Sequence, residues 1–431
     1  MLRFMNRSSA RARSENVATI TGNTDLVRLL ATRKRTAALS HGIEAEDACI
    51  QTMADVSPTK WHLAHTTWFL ESFVLPMAAE SAGVDAPRIF DPSFAYLFNS
   101  YYEVVGERHP RHQRGMASRP TLRDVLAYRA YIDERLLALA ELPVTALTPQ
   151  LEMALRLAHH HEEQHQELML TDLRHVLGTQ PLHPRYRVDA PQTTPMEREL
   201  RWVRLQGGLR MIGAQRYEAR PDEPFVFDNE APRHQRWLEP FAIASRLVSE
   251  REYAEFIADG GYQTSSLWLS DGWSAVKSQG WQAPLYWKKQ GSELSVYDLR
   301  GERALDGDRP VTCVSLYEAD AFARWAKARL PTEEEWEVAA EEEQARVGGN
   351  GIGHLYDQAW QWTASAYSSY PGFLPFAGDF GEYNGKFMCS QMVLRGGSYT
   401  TPPGHTRLTY RNFFPPDARW QTSGIRLAKN S

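Results

Sequence analysis

The histidines of this chain decide what chemistry it can do. In the run His159-His160-His161-Glu162-Glu163-Gln164-His165-Gln166-Glu167, residues 161 and 165 lie one helical turn apart, with Cβ atoms about 5–6 Å from each other. One metal ion can take both imidazoles. Ala158, Leu168, Met169 and Asp172 continue the same face, which makes it the stripe a bundle would bury. His159 and His160 point roughly 200° and 100° away from His161 and are expected on a solvated polar surface. Without a third partner, the pair fits two hydrogen-bonded histidines in a wet core equally well. The stretch also matches the His-Glu-x-x-His pattern of zinc peptidases, but Leu168 stands where one subclass needs Gly and no third histidine follows at the required spacing.

A third imidazole is expected upstream, in Ser57-Pro58-Thr59-Lys60-Trp61-His62-Leu63-Ala64-His65-Thr66-Thr67-Trp68-Phe69-Leu70-Glu71. Pro58 suits a helix start and sets His62 and His65 one turn apart, so spacing alone leaves the choice between them open. Three imidazoles without an obligatory carboxylate suit a borderline divalent ion. An octahedral ion held this way keeps up to three open positions, which fits iron accepting thiolate, oxygen and nitrogen donors together.

These residues need helices to carry them. Apolar residues recur at three and four positions over Thr24 to about Thr52, Pro58 to about Ala82, Thr121 to Ala140 and Pro149 to Gly178, the pattern of a helical bundle. Thr121 is placed to cap its helix and Gly178 to end the last one. From Trp202 onward the chain turns to short strand-like pieces, Trp202–Leu205 and Phe241–Ala244, with helical patches at Ser249–Asp259 and Leu316–Ala328. That mixture predicts an α+β domain whose core is supplied largely by aromatic rings. All but three of the 14 histidines precede residue 185, and all but two of the 13 tryptophans follow residue 200. The expected division is a flexible Arg-rich arm at 1–22, a helical bundle at 23–180, a Pro-containing linker at 181–200 and the α+β domain at 201–431.

Composition narrows the class. A chain of 431 residues with 42% hydrophobic and 23% charged residues has the mix of a globular protein of two or three domains. A formal net charge of −5 argues against a nucleic-acid partner. No run reaches the ~18–20 apolar residues of a membrane-spanning helix, so no membrane partner is expected. The 3 cysteines, Cys49, Cys313 and Cys389, are too widely spaced for a disulfide framework or zinc ribbon, and a cytoplasmic location is expected.

Two groups of motifs resemble a known family. Lys60-Trp61-His62-Leu63-Ala64-His65-Thr66-Thr67-Trp68-Phe69, paired with His161-x-x-x-His165-x-Glu167, resembles the iron-binding DinB-like bundle of the ergothioneine-pathway sulfoxide synthases of the EgtB type. Arg329-Leu330-Pro331-Thr332-Glu333-x-Glu335-Trp336-Glu337, Trp360-Gln361-Trp362-Thr363-Ala364-Ser365 and Leu394-Arg395-Gly396-Gly397-Ser398 resemble the formylglycine-generating-enzyme domain, a relative of C-type lectin folds. The resemblance runs from about Asp25 to Ala428. It implies an N-terminal DinB-like four-helix bundle followed by a formylglycine-generating-enzyme/C-type-lectin-like domain, an α plus (α+β) architecture with a cleft between the halves. It also implies a non-haem Fe(2+) enzyme that uses O2 to couple the sulfur of cysteine to imidazole carbon 2 of hercynine (trimethylhistidine), giving a sulfoxide.

By the same resemblance the iron ligands fall on His65, His161 and His165, with His62 behind them, and Gln164 contacts the substrate imidazole. Tyr101 and Tyr102 match a tyrosine pair that supplies a proton. A phenol, with a pKa near ~10, keeps that proton at neutral pH. Arg111 and Arg114 match an arginine pair that holds the thiol substrate's carboxylate, a task suited to the guanidinium fork. Asn412, Phe413 and Phe414 align with the segment that receives the trimethylammonium group, with Phe414 where some members carry Asp. Cation–π contact with aromatic faces suits such a cation. Gly396-Gly397-Ser398 is followed by no cysteine before Arg407, which excludes formylglycine-generating chemistry. Two readings stand beside this one: the same architecture using γ-glutamylcysteine or a selenosugar as donor, and a non-catalytic DinB-type module that binds a thiol or other ligand.

Overall fold

The computed structural model describes residues 24–139, 148–218, 220, 223–291, 293–346 and 351–431. The arm expected at 1–22 lies outside them. The chain falls into two compact units that divide between Gln166 and Glu167.

The first unit is helical. Its elements are α1 (Thr24–Leu39), α2 (Thr59–Phe69), α3 (Leu75–Ala82), the short α4 (Phe94–Phe98), α5 (Leu122–Leu139) and the beginning of α6 (Pro149–Gly178). The helix expected to run from Thr24 to Thr52 is shorter: Ser40-His41-Gly42 make a turn with Gly42 at φ 84°, and only a 3-10 turn, Asp47–Cys49, comes after it. A π-turn, Leu70–Val74, joins α2 to α3. Pro76 has no N–H to offer the carbonyl of Ser72, and the helix widens where that bond is missing. Thr121 caps α5 as expected: its hydroxyl accepts the Asp124 N–H at 3.2 Å, and Asp124 returns the bond to the Thr121 N–H at 3.0 Å. Thr148 performs the same service for α6, accepting from the Leu151 N–H at 3.3 Å. With 30 residues, α6 is a rod about 45 Å long. It ends at Gly178, where an added Cβ would lie 2.7 Å from the Tyr297 ring.

The second unit mixes strands and helices. β1 (Trp202–Leu205), β4 (Phe241–Ala244) and β12 (Ala428–Asn430) form an antiparallel sheet with β4 in the middle. β2 (Gly208–Ile212) and β3 (His234–Leu238) pair as a ribbon, and β5 (Trp287–Gln290), β6 (Glu293–Asp298) and β7 (Gly301–Ala304) form a meander. The fourth sheet has the order β10-β9-β8-β11, built from β8 (Trp360–Ala366), β9 (Met392–Arg395), β10 (Asn412–Phe414) and β11 (Ser423–Gly424). Among the described residues the helices are α7 (Glu250–Ala258), α8 (Ser270–Gln279), α9 (Leu316–Trp325) and α10 (Glu333–Ala345). Sequence reading found the first and third of these and missed α8 and α10. Capping boxes start α7, α9 and α10, each a Ser or Thr paired with Glu three residues on. Trp336 of α10 is buried with Phe241, Ile243 and Leu355 at the centre of this unit's core. Among the described residues no helix is long and apolar enough to cross a membrane.

Candidate metal centre

Helix α2 is buried along all of its residues, so its polar side chains must find partners inside the protein. Arg129 of α5 supplies several. Its Nη1 donates to the Leu63 carbonyl at 3.0 Å and to the Thr66 and Thr67 hydroxyls at 3.0 and 3.2 Å, while Nη2 donates to Glu162 Oε1 of α6 at 2.8 Å. Arg33 of α1 reaches Glu162 Oε2 at 3.4 Å and Asp133 at 2.5 Å. Burial alone would raise the Glu162 carboxyl, but Arg129 and Arg33 hold it at about 2. This ionic knot fixes α2 against α6 immediately behind the histidines.

On the other side the imidazoles converge. His65 Nε2 lies 3.1 Å from His161 Nε2, and one ring nitrogen each of His65, His161 and His165 fall within 4.8 Å of one another. His65 Nδ1 donates to the Phe98 carbonyl at 2.6 Å, which fixes the tautomer and leaves the Nε2 lone pair facing His161. His62, the alternative that spacing left open, lies outside this triplet and pairs its Nδ1 with His165 Nδ1 at 2.9 Å. Burial, with contributions from neighbouring imidazoles and Arg114, pushes the pKa values of His65 and His165 well below the usual range. Burial takes His161 down to about 3 against the pull of Glu162. At neutral pH all three are uncharged, the form in which imidazole binds a metal.

Aromatic rings wall the cluster. Trp61 stacks on His65 with centroids 4.6 Å apart, Trp68 lies 5.7 Å from the same imidazole, and Phe69 lies 4.4 Å from His161. Tyr102 is fully buried and touches both Trp68 and Phe69, so it stands one ring away from the histidines. Tyr101 stacks on Tyr102 at 4.6 Å, with their hydroxyls 3.5 Å apart. Sequence reasoning gave Asn99 no role, yet its amide clasps this turn: Nδ2 donates to the Tyr102 carbonyl at 2.8 Å and Oδ1 accepts the Tyr102 N–H at 2.9 Å. An Asn two residues before an aromatic pair was the available signal.

The two arginines part company. Arg114 is buried, sits 3.4 Å over the Trp61 ring and donates to Ser57 Oγ at 2.9 Å. Arg111 is exposed and donates to the Asp55 carbonyl. Gln164 is half-buried on α6 beside His165. His159 and His160, expected in solvent, are half-buried, and His159 Nδ1 meets Thr32 Oγ1 of α1 at 3.0 Å. The neighbouring helix covers a face that periodicity alone assigned to water.

In the second unit, Asn412, Phe413 and Phe414 form β10 and are half-buried. Phe413 stacks on Tyr367 at 4.1 Å with Phe387 5.9 Å away, and Phe414 lies 6.2 Å from Trp420. Glu167, the last residue of the histidine motif, accepts from Trp360 Nε1 at 2.8 Å, Ser398 Oγ at 2.7 Å and Thr401 Oγ1 at 2.7 Å. Those donors need the Gly396-Gly397-Ser398 turn, in which Gly396 adopts φ 99° and a Cβ would lie 2.2 Å from the Leu355 carbonyl oxygen.

The fold of the second unit and these motifs define a class. The sulfatase-modifying factor enzyme 1-like domain matches residues 188–353 and 346–431, more than half of the chain, and the chain belongs to that family. Its similarity extends further. It is 29% identical over 449 residues to the hercynine oxygenase of Mycolicibacterium smegmatis, covering 93% of this chain and 97% of that protein. The hercynine oxygenase of Mycobacterium tuberculosis is 29% identical over 440 residues, with the same coverage of 93% and 97%. The formylglycine-generating enzyme of Thermomonospora curvata is 32% identical over 177 residues, 36% of this chain and 54% of that one. The EgtB-type resemblance drawn from the motifs therefore holds over both units.

Proposed function

We propose that the protein is a non-haem iron(II) sulfoxide synthase of the cytoplasm, joining cysteine sulfur to imidazole carbon 2 of hercynine at the expense of O2. The observation that carries this reading is the 3.1 Å separation of His65 Nε2 and His161 Nε2. Two nitrogens bound at about 2.1 Å to one ion lie roughly 3.0 Å apart at a right angle and roughly 3.4 Å apart at the tetrahedral angle. At 3.1 Å the two nitrogens are close enough to share one ion. With His165 as third ligand and no carboxylate among the three, the donor set fits iron(II) with positions left for substrates. Bound there, iron supplies the activation of O2 and a seat for the thiolate.

The chain's own residues do the rest. Arg114, held 3.4 Å over the Trp61 ring, presents a fixed positive charge to the carboxylate of the thiol substrate, with Arg111 on the same edge of its 3-10 turn. Gln164 hydrogen-bonds the hercynine imidazole. One phenol of the Tyr101–Tyr102 pair holds a proton and delivers it as the carbon–sulfur bond forms. The stacked faces of Phe413 and Tyr367, with Asn412 and Phe414 beside them, receive the trimethylammonium end. A DinB-like four-helix bundle over 23–180, a linker at 181–200 and a C-type-lectin-like domain over 201–431 belong to the same proposal.

Anaerobic reconstitution with Fe(II), then addition of O2, hercynine and cysteine, is expected to give the coupled sulfoxide by mass spectrometry. Metal-loaded protein that yields no coupled product would end the proposal. Competition among cysteine, γ-glutamylcysteine and a selenosugar identifies the donor. Tyr101→Phe and Tyr102→Phe separate catalysis from mere binding, since only catalysis loses product or diverts to oxidised thiol.

A further inference from the structure

We infer that α6 carries a second metal site, built from His159, His160 and Glu163, that takes a four-coordinate divalent cation of the zinc(II) type. His159 Nε2 lies 3.5 Å and His160 Nδ1 3.6 Å from Glu163 Oε2, and the three donor atoms fall within 4.8 Å of one another. Those separations let all three donors share one ion, and two imidazoles with a carboxylate are a donor set that four-coordinate zinc(II) takes. The two clusters differ in donor set, three imidazoles in one and two imidazoles with a carboxylate in the other.

The surroundings orient each donor, as the outer contacts of a metal site do. Thr32 Oγ1 meets His159 Nδ1 at 3.0 Å, which turns Nε2 toward the carboxylate. Arg35 Nη2 donates to Glu163 Oε1 at 2.6 Å and to Thr32 Oγ1 at 3.2 Å, which sends Oε2 toward the imidazoles as a single-atom ligand. The Glu163 side chain is 3% exposed and the imidazoles 19% and 13%. A buried carboxylate with two half-buried imidazoles leaves one side for water as the fourth ligand. Because Thr32 and Arg35 belong to α1, an ion here fastens α1 to α6. This site stands independently of the oxygenase reading.

The test is metal counting on the full-length, metal-stripped protein titrated with Zn(II) and Co(II). Two ions per chain are expected in the parent and one in His159→Gln/His160→Gln, with the ligand-field bands of four-coordinate Co(II) lost in the variant. His161→Gln should keep those bands, which assigns them to the second cluster. Thr32→Val leaves every ligand in place and is expected to weaken Zn(II) there by about 10- to 100-fold. Absence of four-coordinate Co(II) bands in the parent, or equal stoichiometry and spectra in parent and double variant, overturns the inference. So does unchanged affinity in Thr32→Val.

Discussion

The two units bury polar groups in opposite ways. In the second unit, carboxylates are saturated by arginine: Glu333 accepts from Arg411 Nε and Nη2, each at 2.8 Å, and Glu337 accepts from Arg395 at 2.5 Å and the Gly213 N–H at 2.7 Å. Glu318 is met in the same manner by Arg419 and the Tyr262 hydroxyl. Such knots tie long loops where regular structure is sparse, and their hydrogen-bonding capacity is consumed in doing so. The first unit ties such a knot around Glu162, and one turn away it gathers imidazoles whose burial strips their charge. Compensated burial serves structure, whereas neutral donors brought together prepare a site.

The comparison breaks most visibly at His161. On the proposed function, His161→Ala is expected to abolish stoichiometric iron binding and turnover while shifting the melting temperature little; a large loss of stability with iron binding intact would place this residue with the structural knots. Next in size, Arg129→Met leaves Glu162 without its nearest cation and should cost about 3–5 kcal/mol in urea unfolding. Arg411→Met should cost a similar amount through Glu333 without changing metal stoichiometry.

His175 sharpens the contrast in the second unit. Burial lowers its pKa to about 4, so between pH 6.5 and 4 the unfolded chain binds a proton that the folded one refuses. Stability is full above about pH 6.5 and falls as pH drops through that window, by ~3 kcal/mol at most from this group. His175→Gln should flatten the acid limb of a pH series of melting temperatures. Smallest is the cap common to both units: Thr121→Ala and Ser315→Ala should each cost about 1 kcal/mol, measurable by denaturant midpoint.

The helices that carry the histidines were legible because proline, glycine and apolar periodicity agree on them. Pro149 and Gly178 bracket α6 as expected. α8 and α10 were not, since Ser270–Gln279 is mostly small and polar and Glu333–Ala345 is rich in glutamate; tertiary packing and a capping box, more than periodicity, hold them. The choice between His62 and His65 could not be read from spacing, because the Phe98 carbonyl that orients His65 comes from a segment distant in sequence. Arg111 and Arg114 share an edge of one 3-10 turn, yet that turn's approach to residues 55–57 leaves one outside and takes the other in.

The π-turn at Leu70–Val74 has a wider consequence. It amounts to a supernumerary residue absorbed into a continuous rod, which resets the angular phase of the turns beyond it by about 100°. The stretch bearing His62 and His65 is thereby insulated from the register of Leu75–Ala82. Shortening the chain by one residue inside this swelling, so that the turn closes to ordinary α-helix, should leave both Leu75–Ala82 and the upstream imidazoles aimed as before, which makes it the place where length can change without moving the donors.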